Sequence, residues 1–254
     1  MPDELIEQGM ARDGLAASGV ILEMCVDSLD LALAAVRGGA DRIELCGPLN
    51  GGGITPSGGL VAAARAMIDL PLAMLVRART GPFTATAAEF EVMRRDVLYA
   101  RGAGMDMVVV GILSEDRTVD VERTRELVEL ARPMQTTFHR AFDATPNPEQ
   151  SLEDVILTGA TRVLTSGAST TAVQGAYTVA RLQQAARGRI AMLLCGGVAV
   201  STIRQALALS GVNEVHAALR NSIGPGYTSG RPAPGELDHF AAAVSKLKAR
   251  MRRV

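Results

Sequence analysis

Residues 38–57 read GGADRIELCGPLNGGGITPS. Two glycines close a helix, a short apolar strand follows at 42–46, and a glycine-rich loop leads to Pro56 and Ser57, which introduce another helix. Glu44 and Cys46 sit two residues apart on that strand and share one face. The strand before it, at 21–26 (ILEMCV), carries the same Glu-x-Cys spacing in Glu23 and Cys25. Two consecutive strands therefore present the same pair of polar side chains.

Outward from this segment, short apolar runs alternate with amphipathic stretches. The pattern predicts strands at 21–26, 42–46, 72–77, 107–111, 134–139, 162–165, 190–194 and 214–217. A helix follows each strand. The first is capped by Asp27 or Ser28, the second runs from Ser57 to about 68, and the third is capped by Thr84 or Thr86, with Glu89 completing a capping box. Later helices run from a turn at 116–120 to about 130, from 146–148 (PNP) to Gly159, and over 171–187. The last two run from Ser201 or Thr202 to Gly211, and from 236 to about 252, after a Gly/Pro-rich loop at 224–235. Eight βα units imply parallel strands with right-handed crossovers, and in 254 residues they close into a single-domain (β/α)8 TIM barrel. An open doubly wound sheet is disfavoured because no Gly-x-Gly-x-x-Gly follows the first strand. Residues 1–19 have no strong period and read as a flexible N-terminal extension, with the barrel over 20–254.

Composition narrows the function. Formal net charge is −1 and aromatics are 3% with no Trp, so the chain offers neither a general basic field nor a stacking surface for nucleic acid. The basic cluster at 246–253 suits a helix C-terminus. No run approaches the roughly 20 apolar residues of a membrane span, and the first residues lack the apolar core of a signal peptide. Cys25, Cys46 and Cys195 form no even framework. The expectation is a cytoplasmic protein with reduced thiols and neither nucleic-acid nor membrane partners.

In a barrel of this kind the reactive groups belong at the C-terminal strand ends. Glu23, Cys25, Glu44 and Cys46 are there, as are Arg77, Arg79, His139, Arg140, Asp143 and His216, with Arg220 just beyond. Only the fourth strand ends without charge, at Gly111. Neighbouring strands lie about 4.8 Å apart, so Cys25 and Cys46 can meet if both face inward, and paired thiolates suit a soft ion such as Cu(I), or Zn(II) with added ligands. Equally, free cysteines pack as small hydrophobes. Glu23, Glu44, His139, Asp143 and His216 are candidates for acid–base catalysis, with a carboxylate orienting a histidine. A satisfied core histidine is the bland alternative. Arg77, Arg79, Arg140, Thr165, Ser166, Gly196, Gly197 and Arg220 are candidates to hold an anion at the late-strand loops, although glycines there also serve tight turns. These groups also suit an isomerase or lyase acting on a small anionic or phosphorylated metabolite.

The chain resembles the CutC family of copper homeostasis proteins. The resemblance rests on EMCVDS at 23–28, GGADRIELC at 38–46, GGITPS at 52–57, TFHRAFD at 137–143, LTSG at 164–167 and EVH at 214–216. It implies a (β/α)8 barrel, a role in copper handling, Cu(I) ligation by Cys25 and Cys46, and a homodimer or higher homo-oligomer. The chain departs from the family pattern at 76–79, where VRAR replaces Ile-Arg-Pro-Arg. It departs again at 80–86 (TGPFTAT), at Cys195 in place of Pro or Ala, and at 218–220, where ALR keeps only the arginine.

Overall fold

The computed structural model describes residues 19–223 and 231–252. The expected N-terminal extension, apart from Gly19, and much of the 224–235 loop lie outside the described residues. Eight parallel strands close into a barrel: β1 (Ile21–Val26), β2 (Arg42–Leu45), β3 (Leu72–Leu75), β4 (Met107–Val110), β5 (Gln135–Phe138), β6 (Arg162–Thr165), β7 (Ala191–Leu194) and β8 (Glu214–Ala217). β1 pairs with β2 on one side and with β8 on the other, which removes both sheet edges. The helices are α1 (Leu29–Arg37), α2 (Gly58–Met67), α3 (Ala87–Gly102), α4 (Val121–Ala131), α5 (Pro148–Thr158), α6 (Ala172–Ala186), α7 (Ile203–Ser210) and α8 (Pro234–Met251).

Local sequence explains these boundaries. The Ser28 side chain accepts from the Leu31 N–H and caps α1, while Asp27 accepts from the Leu49 N–H at 3.2 Å and fixes the glycine loop after β2. Thr86 and Glu89 form the expected capping box of α3. Asn147 caps α5 with Pro148 at its first turn, and Gly159 ends it in the left-handed region. Five strands are shorter than their apolar runs: β2, β3, β4 and β5 end early, and β7 starts one residue late. Cys46, Arg77, Gly111 and His139 each stand just past the last residue of a strand, on the loops that form the mouth.

Alternation along the strands divides two interiors. Leu22, Met24 and Val26 of β1 and Ile43 and Leu45 of β2 join the large apolar core between barrel and helices. Their neighbours Glu23, Cys25, Arg42 and Glu44 point into the barrel, as does Cys46 beyond. There Cys25 and Cys46 pack with Ala73, Leu75, Met107 and Val109, and Cys195 packs with Leu164 and Leu193. Barrel interiors are usually filled by branched aliphatic side chains, but the floor here is ionic. It is built from the first residues of β2, β6 and β8. Arg42 Nη2 donates to Glu214 Oε2 at 2.7 Å, and Arg162 Nε donates to the same oxygen at 2.8 Å. Arg162 also donates to Gln135 Oε1, at the start of β5.

Candidate functional site

The site rises from that floor. Register places Glu23 between Arg42 on β2 and His216 on β8. Arg42 Nε donates to Glu23 Oε2 at 2.5 Å, and Glu23 Oε1 lies 2.7 Å from His216 Nδ1. Burial pushes the Glu23 carboxyl up, but Arg42 and then His216 overcome it and hold it near 2. Burial opposes charge on His216 as well. Contact with Cys25, the Glu23 hydrogen bond and the charge of Glu44 nonetheless hold its pKa well above the usual imidazole value. Glu23 and His216 thus form a charged pair at neutral pH. The donor for the buried Glu23 carboxylate is Arg42, from the start of the neighbouring strand.

Glu44 behaves differently. Its Oε2 is buried without a hydrogen-bond partner, and its nearest cation is His216, whose Nδ1 lies 3.6 Å away. Burial pushes its carboxyl up to about 7, against the pull of His216. Register sets Glu44 beside Cys25, whose Sγ lies 3.6 Å from Glu44 Oε1 and 3.5 Å from Cys46 Sγ. The hydrogen bond to Cys46 and burial raise the Cys25 thiol well above its ordinary value. Cys46 donates to the Val26 carbonyl at 3.4 Å and is fully buried. Gly53 lies over it with φ at 80°, where a Cβ would stand 2.9 Å from Leu75 Cδ2. Cys25 therefore faces the mouth and Cys46 lies behind it. Donor atoms of Cys25, Glu44 and His216 all fall within 4.8 Å of one another, close enough to hold a metal ion.

Above this cluster a cavity of about 550 Å³ opens at the mouth, lined among others by Cys25, Glu44, Arg77, His139, Arg140 and His216. His139 Nδ1 accepts from the Ala141 N–H at 3.1 Å, which leaves the ring proton on Nε2, a buried atom without a partner. Burial, then the charge of Arg77, pull its pKa down to about 3, so the ring is neutral. The uncharged end of β4 explains its position. A Cβ on Gly111 would lie 2.6 Å from His139 Nδ1, so glycine there makes room for the imidazole. The bland reading of His139 holds for one nitrogen only.

The remaining candidates separate. Asp143 accepts from Thr165 Oγ1 at 2.6 Å, from the backbone N–H groups of Ser166 and Ala168, and from Arg140 Nε at 3.0 Å, with Ser166 Oγ also 3.0 Å away. Its lone pairs are occupied, and its visible role is to clamp the loop after β6. Thr165 and Ser166 are fully buried within that clamp. Arg79 turns into its own loop, bonding Glu89 and the carbonyls of Thr80, Pro82 and Thr84. Gly196, Gly197 and Arg220 line a second cavity of about 810 Å³ beside β7 and β8, which Arg140 and His216 also reach. Cys195 lines this second cavity too, its thiol raised by burial. The pattern of strand ends misses Arg42, Arg162 and Glu214. Their spacing, an even number of residues before Cys46, Leu164 and His216, is the signal that sets them on the inner face.

Comparison with known proteins gives the family. The family model for the CutC family matches residues 20–221. The chain belongs to the CutC family. A family protein CutC of Chromobacterium violaceum is 46% identical over 203 residues, covering 80% of this chain and 82% of that protein. The human copper homeostasis protein cutC homolog is 40% identical over 207 residues, covering 82% and 76%. The crystal structure of CutC from Streptococcus agalactiae superposes with a TM-score of 0.74 at 27% identity, covering 78% of this chain and 97% of that one. Among the described residues no helix is long and apolar enough to cross a membrane.

Proposed function

We propose that this CutC-family barrel binds Cu(I) through Cys25 and Cys46. The observation that carries the reading is the 3.5 Å separation of the two sulfurs at the inner end of the mouth cavity, with only Cys25 lining the cavity itself. Soft thiolates select a soft monovalent ion. Exchanging two thiol protons for one Cu(I) leaves the site one unit more negative. His216 supplies the offsetting charge, and its ring stands within 4.8 Å of the Cys25 sulfur. The naming of the human relative as a copper homeostasis protein supports the same reading. Copper ligation by paired thiolates needs them reduced, which suits a compartment such as the cytoplasm, and the family resemblance adds a homo-oligomer to the reading.

The acid–base alternative is carried less well. Asp143 is occupied by loop donors, and His139 is held neutral. Imine chemistry has no lysine at the mouth: Lys246 and Lys248, the chain's only lysines, stand on α8, and Lys248 pairs with Asp41. Competition of the protein with a calibrated Cu(I) chelator tests the proposal. Wild type is expected to compete at one ion per chain, and Cys25→Ser/Cys46→Ser to lose that competition. Equal affinity in the double variant would remove the reading.

A further inference from the structure

The mouth cavity holds more polar capacity than two sulfurs use. Arg77 donates to three backbone carbonyls, of Gly52 (3.5 Å), Gly53 (3.1 Å) and Gly81 (2.7 Å), and its guanidinium lies 4.8 Å from the centre of the Phe83 ring. Among the described residues it makes no ion pair with an acid. Its Nε is buried without a partner, and so is Nε2 of His139. Both residues line the same cavity. Neutral carbonyls satisfy some of Arg77's N–H groups but leave its charge uncompensated, and an orphaned buried donor is destabilising. Two such donors beside one unbalanced cation describe a place for a negatively charged oxygen.

The acids nearby do not fill that place. Asp143 is saturated by its own loop, and Glu44 lies against His216 and Cys25. The rest of the wall includes Leu49, Leu75, Phe83 and Leu164, which suits a carbon skeleton better than a fully hydrated ion. About 550 Å³ is within the size of small-molecule sites.

We infer that this cavity binds a small organic carboxylate, whose oxygens take the spare N–H groups of Arg77 and His139 while its carbon body packs on Leu75, Phe83 and Leu164. Ligation of copper is not required for it, so the site persists in protein that has lost both mouth cysteines.

The test titrates metal-free wild type and Cys25→Ser/Cys46→Ser with acetate, butyrate and inorganic phosphate. The readout is the ¹⁵N shift of the His139 ring, assigned by its absence in His139→Gln. Saturable shifts with acetate and butyrate are expected in both proteins. Butyrate should bind roughly tenfold tighter or more, since each added methylene contributes about fourfold. Arg77→Gln should weaken binding at least tenfold, with partial recovery in Arg77→Lys, which keeps the charge. Shifts that rise linearly without saturating would overturn the inference, as would phosphate binding as tightly as butyrate. The wild-type titration decides the matter even if Arg77→Gln fails to fold. Loss of copper binding in the double cysteine variant reads separately from this result.

Discussion

Arg42→Met is the most informative perturbation of the barrel floor. Arg42 is 3% exposed and joins two carboxylates, Glu23 at 2.5 Å and Glu214 at 2.7 Å. The substitution keeps the apolar stem and removes the charge. Glu214 retains Arg162 at 2.8 Å, but Glu23 keeps only His216. Breaking a buried ion pair from one side costs roughly 3–5 kcal/mol, because an uncompensated charge stays behind. The displacement of the Glu23 carboxyl from 4.5 to about 2 corresponds to about 3 kcal/mol at neutral pH, most of it owed to Arg42. For a chain of this size that lowers the melting temperature by roughly 10 °C. The assay is thermal and denaturant unfolding of wild type, Arg42→Met, Glu23→Gln and the double variant. The double variant should be more stable than the sum of the two single losses, because with Gln at 23 the loss of Arg42 leaves no carboxylate charge there to be stranded. A single-variant loss below about 1 kcal/mol, or strict additivity in the double, would show that the floor pair is not the buried, desolvated interaction described above.

Cys25 is held protonated by its Cys46 hydrogen bond and by burial, so Cu(I) uptake must release protons; apparent affinity should rise at least tenfold per pH unit between about pH 6 and 8, and a flat profile would argue against thiolate ligation. The raised Glu44 carboxyl stabilises the metal-free fold below the unfolded value of 4.5, and that contribution is lost as pH rises through about 7. Glu44→Gln should therefore gain on wild type from pH 5 to 8, by up to about 3 kcal/mol in denaturant titrations; a difference that does not change with pH would contradict the burial-driven shift. Gly111→Ala puts a methyl group 2.6 Å from His139 Nδ1; it should cost roughly 1–3 kcal/mol in stability and move the His139 ring resonances, whereas unchanged spectra would mean the ring has room to spare.

The barrel itself was legible because its signals are local. Apolar runs mark buried parallel strands, and Ser28, Thr86 and Asn147 mark helix starts through hydrogen bonds to their own first turns. The Glu-x-Cys repeat likewise places Cys25 and Cys46 together, since parallel neighbours share a face. Direction within loops was not legible. Arg77 and Arg79 look equivalent in VRAR, yet Arg77 lines the mouth and Arg79 is bound to Glu89. Asp143 reads as a catalytic acid until the loop after β6 is seen to close around it. Floor residues Arg42 and Arg162 do not stand out as site residues, because their partner Glu214 is distant in sequence and only barrel closure brings the three together. The absence of charge at Gly111 was visible, but its meaning depends on the His139 ring against it.

The central claim is that both mouth sulfurs bind one ion. X-ray absorption at the copper edge, on protein loaded with one Cu(I) per chain, counts those sulfurs directly. Two sulfur ligands per copper in wild type, falling to one in Cys46→Ser, is the predicted result. A single sulfur with nitrogen or oxygen neighbours in wild type, unchanged in Cys46→Ser, would contradict it.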